Sequence, residues 1–220
     1  MSLAVLLLFF GSARLASATT ISGTLTADNA LYVYLSTSDA SLGTLIAQGN
    51  SWSSAISFSG IALTPGQTYY LQVEAINYGG PGAFIGQVSL DGTGFTFANG
   101  ATTLLTGATG WAAAYNDGNS DVTAQAWVEP TGGTAVLGPY GVGPWDAVSG
   151  INSGAEWIWP GDSSSLPGGD NTSGACQYCT VDFSAEIIDP VPDPEPSSFA
   201  VLAVALGGLG VLIRRRAMRT

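Results

Sequence analysis

The stretch Tyr69-Tyr-Leu-Gln-Val-Glu-Ala75 places apolar and polar side chains at alternate positions from Leu71 onward. This is the period at which successive side chains of a strand point to opposite faces. The same period recurs outward from it, in Leu31-Tyr-Val-Tyr-Leu35, where aliphatic residues alternate with tyrosine, and in Ile56-Ser-Phe-Ser59. Further strands are predicted from Phe84 to Leu90, Gly94 to Ala98, Val122 to Val128 and Thr180 to Ile187. Pro65-Gly66, Gly79-Gly-Pro-Gly82, Asp91-Gly92, Asn99-Gly100 and Asp117-Gly118 supply turn chemistry between them. No interior segment carries a helical period. Many short strands with such punctuation predict an all-β fold, an antiparallel two-sheet β-sandwich or jelly roll. Between Gly132 and Asn171 the texture changes to loops rich in Gly, Pro and Ser, which Trp145, Trp157 and Trp159 are expected to pin over a sheet end.

Charge narrows the chemistry. The 220 residues contain 16 Asp and Glu, 5 Arg, no Lys and no His, for a net charge of −11. All the acids lie between Asp28 and Glu195, and that stretch holds no basic side chain. Such a surface repels phosphate, which excludes nucleic acid as a partner. Without His there is no Ser/His/Asp or Cys/His relay, and without Lys no Schiff base or P-loop.

Both ends read as addresses rather than fold. Residues 1–18 form a signal peptide with a signal helix: the apolar run Leu3 to Phe10 leads to Ala16-Ser17-Ala18, and signal peptidase cleavage is predicted between Ala18 and Thr19. Residues 19–189 form the acidic β-sandwich domain. Residues 190–198 are a spacer with proline at every second position from 190 to 196, stiff and extended. Residues 199–213 form a single transmembrane helix. With Ser197 and Ser198 the apolar stretch is 17 residues, about 25 Å at about 1.5 Å per residue. Residues 214–220 are a basic cytoplasmic tail, and Arg214, Arg215 and Arg216 place the acidic domain outside by the positive-inside rule.

This tail, with Pro194-Glu195-Pro196, a short apolar helix and an arginine cluster in that order, resembles the PEP-CTERM sorting signal of exported bacterial proteins. The resemblance implies a membrane-bound exosortase that recognises the Pro-Glu-Pro motif, removes the helix and delivers the protein to the cell surface, in bacteria that produce exopolysaccharide. A second resemblance lies in the domain. Ala27-Asp-Asn29 before Leu31 to Leu35, Trp52, Leu63-Thr-Pro-Gly66 before Tyr70 to Asn77, Gly79 to Gly86, Gly141 to Trp145 and Ala155 to Pro160 look like galactose-binding-like β-sandwich domains. It implies an architecture more than a ligand, because one fold hosts many functions.

Three constellations remain. Cys176 and Cys179 are the only cysteines, and in an exported protein so close a pair reads as a local disulfide. A redox site would need a helix that is not predicted, and zinc would need two further ligands. Asp117, Asn119 and Asp121 offer oxygens at positions 1, 3 and 5 of a calcium loop. Val122 and Val128 then replace its glycine and bidentate glutamate, so a polar turn is the simpler reading. Calcium stays a candidate cofactor because cations alone can screen so many acids. The six tryptophans invite stacking on sugar rings, with core packing as the plainer role. The expected function is therefore an exported, exosortase-processed cell-surface or extracellular-matrix protein, non-catalytic, associating with exopolysaccharide and touching the membrane only through its C-terminal helix before processing. The alternative is a carboxylate-based extracellular glycan hydrolase drawing on Glu74, Glu129 and Glu156.

Overall fold

The computed structural model describes residues 18–117, 126–161 and 179–189. Its first strand, β1 (Thr20–Asp28), buries Ile21, Gly23, Leu25 and Ala27 and turns Thr20, Ser22 and Thr24 outward. Asn29 alone separates it from β2 (Ala30–Ser36). This corner is held by neighbouring backbone, with Asn29 N donating to Ile76 O at 2.6 Å and Tyr78 N donating to Asn29 Oδ1 at 2.6 Å. The chain continues through β3 (Thr44–Gly49), β4 (Ile56–Ala62), β5 (Tyr69–Asn77) and β6 (Ala83–Asp91). Two short strands follow, β7 (Thr96–Phe97) and β8 (Thr103–Leu105), and then β9 (Ala112–Asp117), β10 (Thr134–Pro139), β11 (Glu156–Pro160) and β12 (Cys179–Ile188).

These strands form two antiparallel sheets, and no helix occurs among the described residues. Sheet A runs β10-β11-β6-β1-β4, with β8 also on β6, and sheet B runs β3-β2-β5-β12-β7, with β9 also on β12. Only the pairs β2–β3 and β10–β11 stay in one sheet as the chain advances; every other step changes sheets. The inner faces meet in one apolar core. Leu25, Phe84 and Val88 come from sheet A, and Leu31, Val33, Leu71, Val73, Val181 and Phe183 come from sheet B. Phe84 sits at its centre, fully buried, 5.0 Å from the Phe183 ring and 5.2 Å from Trp111. Opposite Leu25, Gly86 leaves room that no other residue could, because an added Cβ would collide with the Leu25 side chain and Thr24 O.

The loop-rich region departs from its expected form. It contributes β10 and β11 to sheet A, so Trp157 and Trp159 are strand residues rather than loop anchors. The segment between them, Tyr140 to Ala155, folds over the outer face of sheet A. Trp145 stacks on Trp157 with ring centroids 4.9 Å apart, and Ala83, Ile85, Val148, Ile151 and Ala155 complete this second apolar cluster. The strand expected from Val122 to Val128 is also corrected: Ala126 to Val128 are not in a strand, and the rest of it lies outside the described residues. These last positions are tied to the sheet by side chains instead of a ladder, as described below.

Because Phe84 joins the two sheets, Phe84→Ala is expected to lower stability by about 3–5 kcal/mol, the range for a buried aromatic truncated to alanine. Urea unfolding of the full chain in detergent measures this, and a loss below about 1 kcal/mol would contradict the shared core.

Candidate functional site

The outer faces of the two sheets are covered differently, one by tryptophan and aliphatic side chains and the other by polar groups. In sheet B the strand period that buries Val33, Val73 and Phe183 in the core turns their neighbours outward. Across three strands the ladder places Tyr32, Glu74 and Asp182 in one row, and Tyr34, Gln72 and Ser184 in the next. Gln72, Glu74, Asp182 and Ser184 are nevertheless buried, so this polar layer lies under a cover. The cover consists of two segments. Gln72 holds the first, with Nε2 donating to Ser38 O and Ser41 O, each at 3.1 Å, and Oε1 accepting from Gly43 N at 3.1 Å. Asp182 holds the second, its Oδ2 accepting from Asn116 Nδ2 at 2.7 Å and Val128 N at 2.8 Å. The segments meet at Asp39, whose carbonyl accepts from Trp127 Nε1 at 2.6 Å and whose Oδ1 accepts from Ser184 Oγ at 2.6 Å.

Beside this junction an open groove of about 300 Å³ is lined by Asp39, Tyr70, Trp111, Ser184 and Glu186. Burial pushes the Asp39 carboxyl above the ordinary carboxylate range; the Ser184 bond opposes this, and the charges of Glu129 and Glu186 add to it. The Tyr70 phenol is raised as well, first by burial and then by Glu186, Asp39 and Glu129. Two carboxylates, those of Asp39 and Glu186, therefore share the groove with one tyrosine. A larger hollow of about 560 Å³, bounded by Leu35, Leu42, Ile46, Ile61 and Tyr69, has no carboxylate in its lining.

The chemistry available in the acidic groove is that of acceptors. Ionised carboxylates take hydrogen bonds from hydroxyls, as a sugar offers, or coordinate hard cations. The remaining nominated residues are dispersed. Glu74 is sealed in the polar layer, where its Oε2 accepts from Tyr34 O–H at 2.8 Å. Glu156 opens β11 in the other sheet, and Glu129 follows the Asp182-bound segment. Trp111, Trp145, Trp157 and Trp159 are buried, which leaves Trp52 and Trp127 as the half-buried ones.

Of the calcium-loop residues, Asp117 ends β9, opposite Thr180, while Asn119 and Asp121 lie outside the described residues. Among the described residues no group of three or more Asp, Glu, Cys or His is arranged to hold a metal. Cys179 is buried at the start of β12, and Cys176 lies outside the described residues, as do Pro194, Glu195, Pro196, Arg214, Arg215, Arg216 and both terminal helices. At the expected signal-cleavage point Ala18 is exposed, whereas Thr19 is 3 % exposed, its Oγ1 donating to Thr93 O at 2.8 Å and its carbonyl accepting from Leu63 N at 2.9 Å. The residues that sequence reading did not single out are Asp39, Asp182 and Glu186. Asp182 and Glu186 could have been found as polar residues on the outward positions of the predicted last strand; Asp39 sits in a loop and gives no such signal.

Asp28 shows the same electrostatics on the opposite face. It is 7 % exposed, its Oδ2 accepts from Trp145 Nε1 at 2.8 Å, and burial raises its carboxyl despite that bond. Burial likewise raises Glu74, opposed by the Tyr34 bond. At Asp28, Asp39 and Glu74 the folded state therefore binds protons more readily than the unfolded chain does. Their stabilising contribution is complete below the unfolded carboxylate range, about pH 4, and is lost as pH rises through their folded values. The thermal midpoint of the full chain, measured with EDTA present, is expected to rise by a few degrees as pH falls from about 7 to about 5; a fall over that interval would contradict this assignment.

Compared with known proteins, the chain matches no family model, no curated protein and no solved structure.

Proposed function

We propose that this chain is an exported bacterial surface or matrix protein whose acidic β domain is non-catalytic and associates with exopolysaccharide. The observation that carries this reading is the pairing of two features of one molecule. One is a 28–195 stretch with 16 acids and no base, followed by the Pro-Glu-Pro, apolar and arginine segments. The other is an open groove lined by Asp39, Glu186 and Tyr70 on the outer face of sheet B. Carboxylates beside an aromatic ring suit the hydroxyl donors of a sugar and repel phosphate.

In this reading the two antiparallel sheets form a sandwich of the galactose-binding-like kind, signal peptidase cuts after Ala18, and exosortase cuts near Pro194. Thr19 supports the first cut, since it is buried and bonded to Thr93 and Leu63 while Ala18 beside it is exposed. After both cuts the α-amino group of Thr19 would be the only cation in the mature chain. The Cys176–Cys179 disulfide then closes a very short loop and fixes local shape ahead of β12.

The full chain is tested by expression in an exosortase-bearing host and in the same host without the exosortase. The expected result is a surface or extracellular protein that begins at Thr19 and lacks the residues after the Pro-Glu-Pro motif, and that stays in the membrane when the exosortase is missing. It should be retained on the host exopolysaccharide, and Asp39→Asn with Glu186→Gln should weaken that retention at least about tenfold, the loss expected for two charged hydrogen-bond acceptors. Secreted protein with an intact C-terminus at Thr220 would overturn the sorting reading. Equal retention of the double variant would overturn the groove as the contact, and glycan cleavage by the wild type that is lost in Glu129→Gln or Glu156→Gln would favour the hydrolase.

A further inference from the structure

The outermost strands of the two sheets are protected unequally. An uncovered strand edge presents a row of free N–H and C=O groups, and native proteins blunt it with short strands, charges or proline. Three of the outer strands here carry such a device. β10 ends on Pro139, β7 is two residues long, and β9 ends on Asp117 and is bridged through Ala113 to Gly132. The other two are β3, the last strand of sheet B, and β4, the last of sheet A, and neither contains a charge or a proline. Each is bulged once against its inner neighbour, and no described strand pairs with its outer edge. Both fall in residues 40–73, the longest interval between Asp28 and Glu195 without Asp, Glu, Lys or Arg.

These two strands lie on one flank. A Cβ on Gly49, at the end of β3, would stand 2.6 Å from Ile56 Cγ2, at the start of β4. Toward their other ends the hollow of about 560 Å³ opens, with Ile46 of β3 and Ile61 of β4 among its apolar walls. Leu45, between two residues that line the hollow, Thr44 and Ile46, is 46 % exposed. Uncovered apolar surface, unpaired backbone and the absence of charge therefore coincide at β3. Over most of the surface two copies of so acidic a chain repel one another; here they can approach, because exposed charges more than about 8–10 Å away are screened. We propose that this flank joins two copies of the chain in a closed two-fold dimer, β3 antiparallel to β3, with Leu45 of one copy against Leu45 of the other. A two-fold contact needs one self-complementary patch, and a strand edge supplies it through its own donors and acceptors. The pair then carries two Asp39 grooves, but the proposal does not rest on the exopolysaccharide reading.

The test is sedimentation equilibrium of the full chain in density-matched detergent, with far-UV circular dichroism as the check on folding. The wild type should pass from monomer to dimer as its concentration rises, and to nothing larger. Leu45→Glu and Val136→Glu add the same charge at exposed positions, one on β3 and the other on β10. Leu45→Glu should raise the dimer dissociation constant at least about tenfold, since it sets like charges face to face, and Val136→Glu should leave it unchanged. Leu45→Ala, which adds no charge, should raise it at least about fivefold through lost apolar contact. A wild type that stays monomeric up to about 0.1 mM would overturn the proposal. So would association as tight as the wild type's in either Leu45 variant, which would place the contact elsewhere, the C-terminal apolar segment included. Equal weakening in Leu45→Glu and Val136→Glu would overturn it as well, by tracing the loss to net charge. Retention of a monomeric wild type on exopolysaccharide would sink the dimer alone and leave the surface reading standing.

Discussion

The rest of the structure depends on one electrostatic constraint: a folded domain with many carboxylates and no internal cation must satisfy its buried acids with neutral donors. Among the described residues, the acids drawn into the fold accept from a hydroxyl, indole, amide or backbone N–H. Asp28 takes Trp145 Nε1, Glu74 takes the Tyr34 hydroxyl, Asp39 takes the Ser184 hydroxyl, and Asp182 takes Asn116 Nδ2 and Val128 N. These bonds also organise the chain. The Asp28–Trp145 bond brings the 140–155 segment onto sheet A, where Trp145 can stack on Trp157. Asp182 draws in the segment after β9, and Asp39 fastens that segment to the loop after β2 through Trp127.

The two outer faces diverge as a result. On sheet A the cover is mostly aromatic and aliphatic and closes a second small core. On sheet B the cover closes over polar groups, and its edge leaves Asp39, Tyr70 and Glu186 in an open groove. Apolar side chains therefore cover one face, while the other carries hydrogen-bond acceptors. The two sheets share one main core and differ in what covers their outer faces.

The sequence shows the sheet-B framework most clearly. Leu31 to Leu35, Tyr69 to Ala75 and Thr180 to Ile187 alternate cleanly because one side of each faces a core and the other a polar layer, and all three are adjacent strands. The less visible strands have physical reasons for their faint signal. In β1 the inward positions include Gly23 and Ala27, which carry little hydrophobic contrast, and β9 opens with three consecutive alanines. In β11 the period is hidden because Trp157, Ile158, Trp159 and Pro160 are all buried, between the main core and the second cluster. The candidate site was less legible than the fold. Asp39 meets Ser184 across 145 positions of chain, and Glu74 meets Asp182 only through strand pairing, so no spacing rule could join them. What sequence does show is the constraint itself, the missing cations.

The central claim is that burial, unrelieved by ion pairs, governs the acids inside this domain. Carboxyl 13C chemical shifts followed from pH 7 to pH 3, with divalent cations removed, test it most directly. The account predicts that Asp28, Asp39 and Glu74 each titrate above the ordinary range for their residue type. Titration of all three at or below the ordinary values would contradict it.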